Sequence, residues 1–194
     1  MFDHSSIHSG GPPHVYHFTK LGAATSDATG GTAADDRIEG PNSSYVLAYP
    51  SNVSPATMNG GEYSLALHQE TRTGPLRVVL TFSSSPGVES FKLTLPDRDY
   101  EVTVRPGEAF EGPFARKQFC WQRGGPLVKR QFACWELDQE GKTRRKAAKW
   151  KLGYDTGLGI CCVNQDFSGE REVLLASAVG ISIVKQHKAT PAAA

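Results

Sequence analysis

Apolar and polar residues alternate over short runs along most of the chain, and turn residues separate these runs. Phe91–Leu95 alternates and stops at Pro96, and Tyr100–Val104 alternates and stops before Pro106-Gly107. This alternation is typical of antiparallel strands with one face on a core and one in water. Similar runs cover residues 45–49, 63–68, 76–82, 118–122, 132–137, 146–152 and 157–163. Short strands at this spacing predict a mainly β fold, either a meander or a barrel.

Residues 166–188 follow a different pattern, because apolar side chains there occupy every face of a helix. The body of the helix, residues 173–184, contains no charged residue, whereas an amphipathic surface helix carries charge every three or four positions. Such a segment rises about 18 Å, well short of the roughly 30 Å hydrocarbon layer of a membrane. The pattern therefore predicts a helix that is enclosed by the chain's own strands, which would form a curled sheet.

Polar residues indicate the ends of this helix. Asp166 or Ser168 is the predicted N-cap, and Lys185 lies in the last turn, where the helix dipole favours cations. The predicted central helix spans about residues 168–188, and residues 190–194 are predicted to form a disordered tail.

The first 42 residues contain few large apolar side chains and are predicted to form a flexible N-terminal arm. Such a composition buries too little surface to offset the entropy of ordering. Residues 15–18 are the exception and predict one short strand that docks on the domain, which itself is predicted over residues 43–189. Without cysteine or carboxylate at ligand spacing, the histidines of the arm indicate a solvated tail rather than a metal site. These histidines are His4, His8, His14 and His17.

No catalytic motif is evident. The chain lacks a Gly-rich phosphate loop, HExxH and G-x-S-x-G. Cys161 or Cys162 as a nucleophile would need a base, and only His68 and His187 lie within the predicted domain. All four cysteines are interpreted as buried thiols, with a zinc site or disulfides as the alternative. We therefore predict a non-enzymatic protein with no catalytic residue, bound metal or cofactor.

The start of the chain lacks the basic and apolar regions of a secretory signal, and no apolar run approaches the roughly 20 residues that span a bilayer. We expect a soluble, cytoplasmic protein without a transmembrane span. Binding to anionic lipid would place it peripherally at membranes.

Charge is strongly segregated along the chain. Residues 116–151 contain eleven Lys/Arg and three Asp/Glu, a net charge of +8, whereas residues 1–115 carry −6. On a hairpin, the first three cations of the densest stretch would lie at a turn, and Lys149 and Lys151 would share one outward face. The candidate anionic-ligand-binding residues are Lys142, Arg144, Arg145, Lys146, Lys149 and Lys151.

Clustered cations attract phosphates, so this stretch predicts binding to anionic lipid headgroups or phosphoinositides. A solvated edge strand, where lysine discourages aggregation, and an internal partner for the acidic half of the chain are the alternatives. Nucleic-acid binding is disfavoured because it needs exposed stacking aromatics. Trp121 and Trp135 have apolar neighbours and are predicted to be core residues, while Trp150 either joins the cations or faces inward.

The helix and the segment before it resemble the tubby C-terminal-like superfamily, which includes tubby-like proteins, plant LURP-one-related proteins and phospholipid scramblases. The resemblance rests on residues 166–181, DFSGEREVLLASAVGI, and on strands that contain Trp121, Trp135 and Trp150. It covers roughly residues 43–188. The order of the tryptophan strands is also similar to a fungal branch of the superfamily whose function is uncharacterised.

The resemblance implies a closed antiparallel β-barrel of about 12 strands around the helix, and lipid or membrane-surface binding as in some branches. A scramblase-like membrane-associated protein, a nucleic-acid-binding domain and a protein-interaction domain are the functional alternatives. Scramblases carry a carboxylate-bearing segment before the helix that is proposed to bind calcium. Here that segment offers only Asp166, Glu170 and Glu172, too few for six to eight oxygen ligands, so calcium is not carried over.

Overall fold

The computed structural model describes residues 11–20, 35–49, 62–83, 90–114, 116–124, 131–152 and 159–189. These residues form twelve strands, a 3₁₀ segment (Gln165–Glu170) and a helix, α1 (Arg171–Ala189). The strands are β1 (His14–Lys20), β2 (Asp36–Glu39), β3 (Ser44–Ala48), β4 (Glu62–Gln69), β5 (Leu76–Ser83), β6 (Phe91–Leu95), β7 (Tyr100–Val104), β8 (Ala109–Glu111), β9 (Gln118–Arg123), β10 (Gln131–Leu137), β11 (Thr143–Leu152) and β12 (Gly159–Val163).

All twelve strands belong to one antiparallel sheet, in the order β7-β6-β5-β4-β3-β2-β1-β12-β11-β10-β9-β8. Most pairs join strands that follow each other in sequence, but β1 pairs with β12, where Tyr16 lies opposite Cys161. The end strands β7 and β8 also meet, because Tyr100 Oη donates to the Glu111 carbonyl at 2.6 Å. The sheet therefore forms a nearly closed barrel with one C-terminal helix, which confirms the predicted fold class.

The helix α1 is buried on every side over its apolar run. Leu174, Leu175 and Ile181 are 0% exposed, although in a helix these positions point in different directions. The ring of Phe91 on β6 lies so close to Gly180 that an added Cβ would stand 2.3 Å from a ring carbon. Glycine at this position thus lets the wall approach the helix, and the predicted enclosure of the run is confirmed.

The helical segment begins differently from the prediction. It starts with the 3₁₀ turn at Gln165, and its cap is Asn164, whose side chain accepts a hydrogen bond from the Asp166 N–H at 3.1 Å. Neither of the two predicted residues is the N-cap. Ser168 is exposed, and Asp166 accepts a hydrogen bond from Arg145 at 3.1 Å. An amide cap therefore replaces the predicted carboxylate or hydroxyl cap.

Two strands precede residue 43, where the domain was predicted to begin. Residues 15–18 lie in β1, which has paired neighbours on both edges, and β2 connects β1 to β3. The sheet thus extends into the predicted arm, where β1 pairs with the distant strand β12 and β2 pairs with its sequence neighbours β1 and β3. The rest of that arm, including His4 and His8, lies outside the described residues, as does the predicted tail.

A buried hydrogen bond joins the wall to α1 and gives a test of their packing. Trp121 Nε1–H of β9 donates to Ser177 Oγ at 2.8 Å, so Ser177→Ala leaves a buried N–H without its acceptor. We expect the free energy of unfolding to fall by about 1–3 kcal/mol, as measured by urea denaturation. Ser182→Ala is the matched control, because Ser182 Oγ donates within its own helix, to the Ala178 carbonyl. Equal losses in both variants would contradict a specific role for the indole bond.

Candidate anionic-ligand site

The predicted basic residues lie on the hairpin of β10 and β11. Its turn is specified locally, because Asp138 Oδ1 accepts hydrogen bonds from the N–H groups of Glu140 and Lys142, each at 2.9 Å. Gly141 supplies a backbone φ of 77°, which side chains with a Cβ rarely adopt. Lys142 and Arg144 are both exposed at this end of the hairpin.

Lys149 and Lys151 lie on the outer face of β11. Trp150, between them, is 2% exposed and packs edge-on against Phe18 with ring centroids 4.6 Å apart. Successive side chains of a strand point to opposite faces, so the two lysines face away from the core. Of the two interpretations of Trp150, the inward-facing one is confirmed.

A register shift brings Lys146 to the same outer face. The shift falls between the pairs Cys134–Ala148 and Trp135–Lys146, so Ala147 is an additional residue in β11. Lys146 Nζ lies 5.0 Å from the centre of the Trp135 ring. Trp135 is therefore a half-buried residue of the outer face, and its prediction as a core residue was wrong, because the adjacent Cys134 and Glu136 are the residues that point inward.

Arg145 points the other way and is held by the buried carboxylate of Glu136 and the exposed carboxylate of Asp166. Its Nε donates to Glu136 at 2.8 Å and its Nη1 to Asp166 at 3.1 Å. The Glu136 side chain is only 5% exposed, and its hydrogen bond raises the pKa of the Arg145 guanidinium. Arg145 thus serves the fold rather than the outer basic surface.

A second ion pair lies beside Arg145 at the end of the barrel where the helical segment begins. Lys117 Nζ lies 2.7 Å from an oxygen of Glu170, whose side chain is 3% exposed. The Phe167 ring is contacted by both cations, with Lys117 Nζ at 5.1 Å and the Arg145 guanidinium at 5.0 Å. These contacts fix the position of the 3₁₀ segment. We call the six residues the mouth cluster: Lys117, Glu136, Arg145, Asp166, Phe167 and Glu170.

Another group of cations was missed by sequence reasoning. Arg77 on β5, Arg98 in the β6–β7 turn and Arg171 at the start of α1 line a cavity of about 120 Å³. These arginines are far apart in the chain, and each is an isolated cation in its own segment. Only the barrel topology brings them together, so no local signal could have found the group.

The cysteines are unsuited to nucleophilic chemistry. All four are buried and free, and burial raises the pKa of the Cys134 and Cys161 thiols well above their ordinary value. A thiol in this state carries little of the reactive thiolate. Among the residues that the structure describes, no three His, Cys, Asp or Glu are grouped so as to hold a metal ion.

In the described part of the chain, no helix combines the length and apolar character needed to cross a membrane. Comparison of the chain with protein-family models, curated proteins and solved structures finds no match. The tubby-like kinship therefore stays a prediction.

Proposed function

We propose that the protein is a non-enzymatic module that binds anionic membrane surfaces through the outer face of the β10–β11 hairpin. The observation that carries this proposal is the common direction of Lys146, Lys149 and Lys151 on β11. Arg144 and Lys142 are exposed at the end of the same hairpin, where Lys142 pairs with Glu140. Arg145 is left out of the binding set, because the mouth cluster already engages it.

The arrangement suits a flat anionic surface. Lys149 and Lys151 are two residues apart in the strand, a separation of about 6.5 Å, and Lys146 lies on the same face beyond the bulge. The three lysines therefore form a row that several phosphates can approach together. Each cation near an anionic bilayer contributes about 1 kcal/mol. Trp135 lies on the same face, and an amphipathic indole is well suited to the level of the headgroups. The face thus offers both attraction to phosphate and an aromatic contact.

The alternatives receive less support from the geometry. A scramblase-like insertion of α1 would take six buried large aliphatic side chains out of the barrel and leave the inward-facing side chains of the wall without the helix that they pack on. Nucleic-acid binding would need several aromatic faces for stacking, yet Trp121 and Trp150 are in the core, which leaves Trp135 as the one tryptophan of the outer face. Peripheral binding leaves the fold intact.

Removing the three lysines should weaken vesicle binding specifically. In Lys146→Gln/Lys149→Gln/Lys151→Gln, the loss of about 1 kcal/mol per charge predicts roughly 100-fold weaker binding. The measurement is co-sedimentation with phosphatidylcholine vesicles that contain phosphatidylserine or a phosphoinositide.

The matched control is Arg37→Gln/Lys92→Gln/Arg105→Gln, which removes the same charge from β2, β6 and the β7–β8 turn. We expect its binding to stay within about threefold of the wild type, since more distant charges are screened. Equal weakening in both triple variants, or no binding by the wild type, would refute the proposal. Binding to oligonucleotides that falls steeply with salt would favour a nucleic-acid function instead.

A further inference from the structure

We infer that the cavity between Arg77, Arg98 and Arg171 is a binding site for a small phosphate-type oxyanion. It is formed by different residues from those of the outer basic face and does not depend on the function proposed above. The cavity volume of about 120 Å³ corresponds to roughly four water molecules at about 30 Å³ each. A single phosphate group fits this space, whereas a whole nucleotide does not.

The charges of the cavity favour an anion. Three guanidinium groups and two carboxylates, Asp97 and Glu172, line it, so the empty site carries a net positive charge. Ser168 and Gly169 of the 3₁₀ segment also line it, near the N-terminal end of α1, where the helix dipole favours negative charge. An oxyanion would bring the site close to neutrality.

The arginines keep donors that the protein does not use. Arg77 donates to Gln69 through Nε and Nη2 and lies 3.6 Å from Glu172. A guanidinium has five N–H donors, and the bonds to Gln69 use only those of Nε and Nη2. A planar fork of this kind is suited to binding phosphate through two parallel bonds.

Arg171 supplies an unsatisfied buried donor. Its Nε is buried and makes no hydrogen bond within the described part of the chain. The Tyr16 hydroxyl lies close enough to act as a partner that helps to raise the pKa of the Arg171 guanidinium, but neither Tyr16 Oη nor Arg171 Nε reaches full hydrogen-bond geometry within the described residues. Buried donors are normally paired, and one that is not indicates a missing acceptor. A phosphate oxygen in the cavity would be an acceptor close to this guanidinium.

Apolar side chains form the remaining wall and hold Arg98 in place. The Arg98 guanidinium lies 4.3 Å from the centre of the Phe114 ring, and this contact helps to position it. Leu95, Pro113 and Val173 also line the cavity. This wall excludes part of the solvent, and a lower local dielectric strengthens the attraction between guanidinium and oxyanion.

Inorganic phosphate, titrated calorimetrically against chloride at equal ionic strength, tests the site. Arg98→Gln is the first variant, because Arg98 is exposed and its loss spares the core. We expect at least tenfold weaker phosphate binding, as for loss of a hydrogen bond to a charged group. Arg105→Gln, in the β7–β8 turn, is the matched control and should bind as the wild type does.

Two further arms identify the source of the phosphate and separate the two proposals. Glycerol 3-phosphate represents a soluble monoester. Phosphatidylcholine vesicles with phosphatidylinositol phosphate represent a headgroup and are tested in the triple lysine variant, so that the outer basic face does not contribute. Arg98→Gln should weaken whichever probe binds. The triple lysine variant should keep its affinity for inorganic phosphate. The experiment can therefore refute one of the two proposed sites without refuting the other. The inference is overturned if none of these probes binds better than chloride, or if Arg98→Gln binds each of them as tightly as the wild type.

Discussion

Gly180→Val is expected to lower the free energy of unfolding by about 3 kcal/mol or more. A Cβ at this position would lie 2.3–2.6 Å from three carbons of the Phe91 ring. That ring is 2% exposed and packs on Phe82 with centroids 5.5 Å apart, so it has little room to move. Overpacking a filled core costs about 1–3 kcal/mol and sometimes more. Urea denaturation followed by circular dichroism measures the loss.

The control for this substitution is Gly169→Ala. An added Cβ at Gly169 meets no atom within 4 Å, so we expect a change within about 0.5 kcal/mol. Phe91→Leu combined with Gly180→Ala should recover part of the stability lost in Gly180→Ala alone, because the smaller side chain relieves the contact. A Gly180→Val protein as stable as the wild type would show that the wall does not pack closely on the helix.

Arg145→Met should produce the second large effect. Without the guanidinium, the Glu136 carboxylate stays 5% exposed and loses its 2.8 Å partner. Breaking a buried ion pair costs about 3–5 kcal/mol. We expect about 3 kcal/mol, because the Arg145 side chain is itself 34% exposed. The free energy of unfolding in urea is again the measurement.

Arg144→Met, one residue away on the exposed end of the hairpin, is the matched control for charge and size. It should change stability by less than about 0.5 kcal/mol. Adding Glu136→Gln to Arg145→Met removes the unpaired charge and should restore most of the loss. If Arg144→Met and Arg145→Met were equally destabilising, the internal role of Arg145 would be wrong.

The helix and the strand pattern could be predicted because their signals are local. The uncharged run of α1 can be read directly from the sequence, and the alternation around Trp150 gives its inward direction. By contrast, the additional residue Ala147 reverses the faces of Arg145 and Lys146. Simple alternation from Lys149 would place Arg145 outside and Lys146 inside, and no residue type in β11 signals the shift.

Non-local pairing explains the remaining differences. β1 and β2 belong to the sheet because they pair with β12 and β3. The partner of β1 lies more than a hundred residues away in sequence, and composition alone cannot reveal it. The same holds for Arg77, Arg98 and Arg171, which converge only in the folded barrel. The outer basic face is an intermediate case. Its lysines could be identified from the sequence, but the directions of their side chains could not.

The late position of α1 in the chain also controls when the protein can fold during synthesis. The ribosome synthesises all twelve strands before residues 173–184. The nascent sheet therefore lacks the apolar helix that fills its interior in the folded protein. Its inward side chains and unpaired edges stay open to other chains over that interval, the condition in which nascent β proteins aggregate. Closure also waits for β1 to meet β12, and such distant contacts form slowly.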